Sequence, residues 1–533
     1  MAEAPNPKTT SSAYDAMVSY WKMVSDILGG APSMRAAIGS NQRLSSGPAI
    51  PVANLIQLNA SGRAGPQSPY LPQFPNETDG DYARRRRHAP FTNIYGDISR
   101  HLTAKPFSKE LQLSEDTDEL FLYMSEDVDG QKNSLHVFAR DVFKQSVDKG
   151  IHWVFVDFPR SSLNATLADE RETGARPYWI SIPAERMLAV YSDFVAGVET
   201  IVHARIYEPM TKRVNYSETV VERIRILNRA QDESGSYGFP TWELWEQVES
   251  SDKKKSWLMV DGGAMTLPVI PLQPFICGER YAGWRVDPPL SDLAYMQVEE
   301  FQQESNLKNI KELTAFPMLA GNGVSAPTGA DGSPVAVPVG PRAVLFAPPN
   351  SDGSAGNWTF IEPTAASLTF LQSDIERIRT EMRDLGMQPL ATANLTVVTT
   401  ANISMKAHNQ VQAWALGLKD ALEQAWIYTA MWVGQPDAEI EVKVHLDFGV
   451  SLEAGTEIDG LLKAQTANVI SKQTTFDEFK RRGILSDEVT YADEEERLAA
   501  QQSNEDLSPE EAIDPITGLP LVVQPQPMFG KPN

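Results

Sequence analysis

Four consecutive arginines, Arg84 to Arg87, followed by His88, form the one basic run of the chain. Guanidinium groups suit phosphate oxygens, which they meet through paired N–H donors. The run sits where a helix is expected, so its side chains fan around the axis and only one or two can face the same phosphate. Two roles are open to it, contact with DNA phosphates and pairing with carboxylates, and so acidic a chain favours the second. Asp127 and Asp129 before Gly130 hint at a calcium loop, but the spacing and terminal Glu of an EF-hand are missing, and a solvated turn is expected. The seven histidines (His88, His101, His136, His152, His203, His408 and His445) are scattered. With no H-E-x-x-H and no pair at i, i+4, no metal site is expected. The single cysteine, Cys277, reads as a packed thiol and allows no disulfide within the chain. No phosphate loop, dinucleotide fingerprint or G-x-S-x-G elbow occurs, so the expectation is a protein that is no enzyme and uses no cofactor.

The charge balance narrows the partners. With 47 Lys and Arg against 70 Asp and Glu, the formal net charge is -23, and bulk attraction cannot hold nucleic acid on such a surface. At 533 residues, 42% hydrophobic and 22% charged, the chain reads as folded and too long for one core, so several subdomains are expected. The first thirty residues lack a secretory pattern and no run of eighteen apolar residues occurs, so no membrane partner is expected and a reducing, cytosolic setting fits.

The elements that position these residues follow from periodicity. Met17, Trp21, Val24 and Leu28 share one face of a helix over 13–28, stopped by Gly29 and Gly30. Thr78 or Asp79 can cap a helix carrying Phe91, Ile94, Tyr95, Ile98 and Leu102, which Pro90 kinks or restarts. A helix through Leu135, Phe138, Val142 and Phe143 ends at Gly150 and leads into the buried strand 151–158. Strands are expected at 178–182, 200–207, 220–227, 242–248 and 257–260, in a mostly antiparallel sheet.

From Pro288 the pattern changes. A helix over 290–314 presents Leu290, Leu293, Ala294, Val298 and Phe301, and a Pro- and Gly-rich stretch follows over 317–363. That stretch holds two short strand candidates, 343–347 and 358–361. A second helix, 365–385, places Leu368, Leu371, Ile375, Ile378, Met382 and Leu385 on a narrow seam suited to helix packing. The stretch 391–404 carries no charge, and a long helix over 402–433 follows, bearing Val411, Ala415, Leu418, Leu422, Ala425 and Thr429. A strand over 440–448 precedes a helical end. There Thr475 and Glu478 read as a capping box, Gly483 stops a short helix, and an acidic helix covers 486–502. The Pro-rich residues 505–533 read as a flexible tail.

This order of parts resembles a tailed-phage portal subunit. The segments Tyr70-Leu71-Pro72, Tyr82 to Phe107, Pro289 to Tyr295 with Phe316-Pro317, and Thr474 to Leu485 look like the branch grouped under a domain of unknown function. The likeness covers about residues 65–500. It implies an α+β portal fold: a wing over 1–286, a first stem helix over 287–314, a small α/β clip over 315–363 and a second stem helix over 364–386. A tunnel loop over 387–404, a long wing helix and strand over 405–455, a helical crown over 456–503 and the tail over 504–533 complete it. The resemblance places Asn394, Thr396, Thr399, Thr400, Asn402 and Lys406 at the DNA tunnel. It implies a ring, generally of twelve copies, in the virion at one capsid vertex, assembled in the host cytoplasm. Double-stranded DNA would be packaged and ejected through it without sequence recognition. The further partners implied are the terminase large subunit, the major capsid protein or scaffold, and a head-to-tail adaptor. Neutral Thr and Asn in an acidic tunnel would let DNA slide. A head-to-tail adaptor or minor capsid protein is the alternative, and a hydrolase is disfavoured by the empty motif search.

Overall fold

The computed structural model describes residues 6–36, 68–75, 77–159, 175–233, 235–249, 255–281, 283–314, 318–322, 356–361, 366–386, 397–446, 461–467, 469–481, 485 and 489–505. Helices and strands mix, the strand pairs among the described residues are antiparallel, and the main run of strands, 151–287, lies between two helical regions, consistent with the α+β expectation. The chain divides into two compact units, Met1–Phe448 and Gly449–Asn533.

The first unit opens with α1 (Ser12–Leu28), whose N-terminus is closed by the Ser11 hydroxyl accepting from Tyr14 N. Its buried face carries Met17, Trp21, Val24 and Ile27. After a single helical turn at Ala31–Met34 come α2 (Asp79–His88), α3 (Ile94–Ala104), α4 (Glu119–Ser125) and α5 (Leu135–Lys149). Thr78 caps α2 by accepting from Asp81 N. The chain breaks at Ala89 and Pro90 and restarts at Asn93, whose side chain accepts from Gly96 N at 2.7 Å. Proline cannot continue a helix ladder, so the break lies where the sequence puts it. Helix α4 was not among the expected elements.

Gly150 ends α5 at φ 86°, and a Cβ there would lie 3.1 Å from Val286 Cγ1, so conformation and space both require glycine. Helix α1 caps the same end: Tyr20 Oη and Trp21 Nε1 donate to the carbonyls of Asp148 and Lys149 at 3.3 and 2.9 Å.

Along the chain run β1 (Gln112–Leu113), β2 (Ile151–Asp157), β3 (Tyr178–Pro183), β4 (Met187–Val195), β5 (Val198–Tyr207), β6 (Met210–Val214) and β7 (Ser217–Val221). Then follow β8 (Arg223–Asn228), β9 (Thr241–Glu249), β10 (Lys255–Ala264), β11 (Leu272–Ile276), β12 (Glu279–Arg280) and β13 (Val286–Asp287). Strand β2 is central in the sheet β11-β2-β3 and is buried at six of its seven residues. Apart from His152 the buried residues are apolar, as a strand covered on both faces needs. Trp179 and Phe275 fill this core against Trp426 and Phe143, with ring centroids 4.9 and 5.9 Å apart. A second antiparallel sheet runs β10-β9-β8-β5-β4, and β6 and β7 form a separate hairpin. Strand β4 and that hairpin were not expected, because the turns Ala196-Gly197 and Asn215-Tyr216 were not recognised as hairpin signals.

The long helices are α6 (Ser291–Thr314), α7 (Ala366–Leu385) and α8 (Val397–Trp432), with β14 (Met318–Asn322) paired antiparallel to β15 (Asn357–Ile361) between the first two. The candidate strand 343–347 lies outside the described residues. A two-residue strand, β16 (Val442–Lys443), pairs with β1 and returns the chain to the N-terminal half.

The second unit contains α9 (Lys472–Arg481) and α10 (Tyr491–Glu505). The cap of α9 is Ser471, whose hydroxyl accepts from Thr474 N at 3.0 Å. Thr475, expected as the cap, instead lies in the first turn and donates back to Ser471 O at 3.1 Å. Thr490 caps α10 by accepting from Asp493 N, so this helix starts five residues later than expected. The first residues of the expected tail, 504 and 505, are the helical end of α10, and 506–533 lie outside the described residues.

Candidate functional site

The helices α6 and α7 pack along one another, and a buried polar cluster closes their base on α3. Gln297 and Glu300, one turn apart on α6, are both fully buried. Gln297 Oε1 accepts from Ile94 N and Tyr95 N at 2.9 and 3.0 Å, so a residue of α6 satisfies amides that the first turn of α3 leaves open. Gln297 Nε2 donates to Thr92 O and to Glu300 Oε2 at 3.0 and 3.2 Å. From α7, Arg379 Nε and Nη2 donate to Glu300 Oε1 at 2.9 and 2.7 Å, and Nη2 also reaches Glu304. Burial pushes the Glu300 carboxyl up from its ordinary value against the pull of Arg379. One guanidinium thus holds two carboxylates of the facing helix, a directional bridge that fixes how the helices meet.

The apolar residues of α7 differ in burial. Ile375, Ile378 and Met382 are 3%, 1% and 0% exposed, and Leu368 and Leu371 are half-buried. Leu385, expected in the seam, is 52% exposed. After Met382 the buried face passes to Gly386, where a Cβ would meet Ile98 Cδ1 at 2.5 Å. A straight helix of 3.6 residues per turn drifts off a 3.5-residue stripe, and a further step of four from Met382 lands on 386.

Of the expected tunnel residues, Asn394 and Thr396 lie outside the described residues. Thr399, Thr400, Asn402 and Lys406 are not in a loop: α8 is helical from Val397, five residues before the expected start. The Thr-, Val- and Asn-rich composition costs a few tenths of a kcal/mol per residue (~0.5) in helix propensity. That is a small penalty for extending a ladder that a 36-residue helix has already nucleated.

Several of the remaining candidates are bonded within the chain. Arg85 is buried and donates from Nε and Nη2 to the two oxygens of Glu77, both at 2.8 Å, with its plane 4.0 Å over Phe74. Arg84 is exposed, 3.9 Å from Asp81, and Arg86 donates to Arg35 O. Asp129 accepts from Gln131 N at 2.8 Å and from Asn133 Nδ2 at 2.8 Å, and Asp127 accepts from Lys132 N, so both carboxylates tie their own turn. Among the described residues no group of three or more His, Cys, Asp and Glu could hold a metal. Burial pushes the Cys277 thiol well up, as for a packed side chain. His152 is fully buried, held down to about 3 by that burial, with Nε2 2.8 Å from Ser181 Oγ.

Sequence reasoning missed Gln297, Glu300, Glu304 and Arg379. A signal existed: Gln297 occupies the seam position between Ala294 and Phe301, where an apolar residue is expected, and a polar residue there calls for a partner.

A family model described as a domain of unknown function (DUF4055) matches residues 289–433, the stretch from the start of α6 to the end of α8. No curated protein matches the chain. Among solved structures, the chain is similar to the neck of an empty gene transfer agent (GTA) particle computed with C6 symmetry, at 15% identity and a TM-score of 0.38, over 72% of this chain and 88% of that one. It is similar at the same identity and TM-score to the neck of a native GTA particle computed with C12 symmetry, over 71% and 88%. A native GTA virion chain matches at 13% identity and a TM-score of 0.37, over 72% and 88%. Among the described residues no helix is long and apolar enough to cross a membrane.

Proposed function

We propose that the chain is a portal subunit, a non-catalytic virion protein that forms a ring, of twelve copies as in the family it resembles, at one capsid vertex. In this reading double-stranded DNA is packaged and ejected through the ring, and a terminase, capsid or scaffold protein and a head-to-tail adaptor dock on it. The observation that carries the reading is the α6–β14–β15–α7 hairpin. Two helices of 24 and 20 residues run to an antiparallel strand pair at one end. At about 1.5 Å per residue the longer spans roughly 36 Å. At their other end Arg379 ties the two helices to each other, and Gln297 ties α6 to the first turn of α3.

Leu368 and Leu371 remain half-buried and Phe370 is 70% exposed on this hairpin. Apolar surface on a long projection is what neighbouring copies in a ring would cover. The net charge of -23 per copy fits a conduit that repels its cargo instead of gripping it. Negative-stain imaging of the purified protein tests the reading. The expected result is a turbine-like ring with a central hole; a compact monomer at high concentration would sink it.

A further inference from the structure

We propose that a basic cleft on the first unit receives the acidic rim of a second copy of this chain, and that this contact repeats from copy to copy. The inference rests on the ring reading above. The cleft, of about 950 Å³, draws four cations from three places in the chain: Arg100 on α3, Arg140 and Lys144 one turn apart on α5, and Arg186 just before β4. In a chain of net charge -23, such a convergence runs against composition.

The two carboxylates that line the cleft, Asp129 and Asp141, leave the four cations in excess. Asp129 is spent on its own turn, and Asp141 accepts from Gln145 Nε2 at 2.7 Å. Lys144 is held by Asp148 at 2.7 Å. Arg100 lies 3.9 Å from Asp97 with both side chains about two-thirds exposed, a pair worth little in water. Among the described residues Arg140 has no ion-pair partner.

Apolar side chains, including the partly exposed Val137, share the lining with these cations. Arginine over an apolar floor suits an acidic protein surface. Nucleic acid fits less well: the rings that line the cleft, Phe138 and Trp179, are buried, and the Tyr178 hydroxyl is bonded to Asp157, so bases are offered little to stack on.

The complementary surface lies on the same unit. A second cleft, of about 480 Å³, is edged by Asp116, Asp118, Asp437 and Glu439, all exposed, and shares no lining residue with the first. Asp118 caps α4 by accepting from Leu120 N at 2.9 Å. Among the described residues Asp116, Asp437 and Glu439 form no ion pair. Beside this rim, α4 exposes Leu120 at 38% and Tyr123 at 69%. Two basic clefts placed face to face would repel, whereas basic cleft to acidic rim is a heterologous contact, the kind that closes into rings. Copies that repel as wholes need such local matches to assemble.

The test uses the full chain and native mass spectrometry at low and high salt, with melting curves to confirm folding. Arg100→Glu with Arg140→Glu reverses the cleft, and Asp116→Arg with Asp437→Arg reverses the rim. Wild type is expected to assemble, each reversed variant to associate at least tenfold more weakly, and an equimolar mixture of the two to recover assembly. Neutral Arg100→Gln with Arg140→Gln, which adds no repulsion, is expected to weaken association less than reversal. Reversed variants that assemble like wild type, or a mixture that does not recover, overturn this contact while leaving the ring reading intact. A monomeric wild type overturns both. Unchanged assembly together with lost binding of a 30-base-pair DNA duplex would reassign the cleft to nucleic acid and overturn the contact.

Discussion

The core around β2 and the base of the α6–α7 hairpin are both buried, yet they are built from opposite materials. In the core, Phe143, Phe155, Trp179, Phe275 and Trp426 pack ring against ring, and the attraction grows with area and has little direction. At the hairpin base Gln297 and Glu300 are as fully buried, but what satisfies them is a short set of directional bonds to Arg379 and to the start of α3. Burying a charge costs more than its pairing returns unless the geometry is good. The core therefore supplies stability, while the hairpin base supplies a single angle between the helices and the body.

The largest expected effect falls on the core. Trp179→Ala removes a fully buried ring and its Nε1 hydrogen bond to Thr429 Oγ1 at 2.8 Å. Denaturant unfolding should show a loss of roughly 3–5 kcal/mol. A loss under about 1 kcal/mol would mean that the site collapses around the gap, and the contrast between the two regions would fail.

The next effect is smaller and depends on context. Arg379→Met leaves Glu300 buried beside Glu304 without its guanidinium, and about 2–3 kcal/mol should be lost. Adding Glu300→Gln should recover most of that, because the neutral amide needs no cation. A double-mutant cycle reads the difference as coupling. If the two losses simply add, Arg379 acts through its alkyl packing, and the directional account of the hairpin base is wrong.

The same contrast explains what could be read from the sequence. Apolar periodicity revealed α1, α5, β2 and most of the five-stranded sheet, and proline marked the break between α2 and α3, because these features depend on local pattern. The pairing of β1 with β16 joins residues more than 300 positions apart, and no local pattern records it. The polar cluster was hidden for a similar reason. Gln297 violates the apolar seam visibly, but Arg379 and Glu304 look like ordinary solvent-facing residues until the two helices are brought together. The start of α8 is hidden because a Thr- and Asn-rich stretch looks like a loop by composition, whereas a long helix already nucleated extends through it at small cost.

The smallest effect lies at the end of the hairpin, where two adjacent residues trade roles. Leu385 carries the larger apolar side chain but is 52% exposed, so Leu385→Ala should change stability by less than about 0.5 kcal/mol. Gly386 has no side chain at all, yet a Cβ there would lie 2.5 and 2.6 Å from Ile98 Cδ1 and Cγ2. Gly386→Ala must therefore push α7 away from α3 or move Ile98, at a cost of roughly 1–3 kcal/mol. Thermal melts of the two variants should thus rank in the reverse order of side-chain size at the two positions. If Leu385→Ala is the more damaging, the buried stripe of α7 continues through 385, and the hairpin meets the body on a face rotated from the one Gly386 defines.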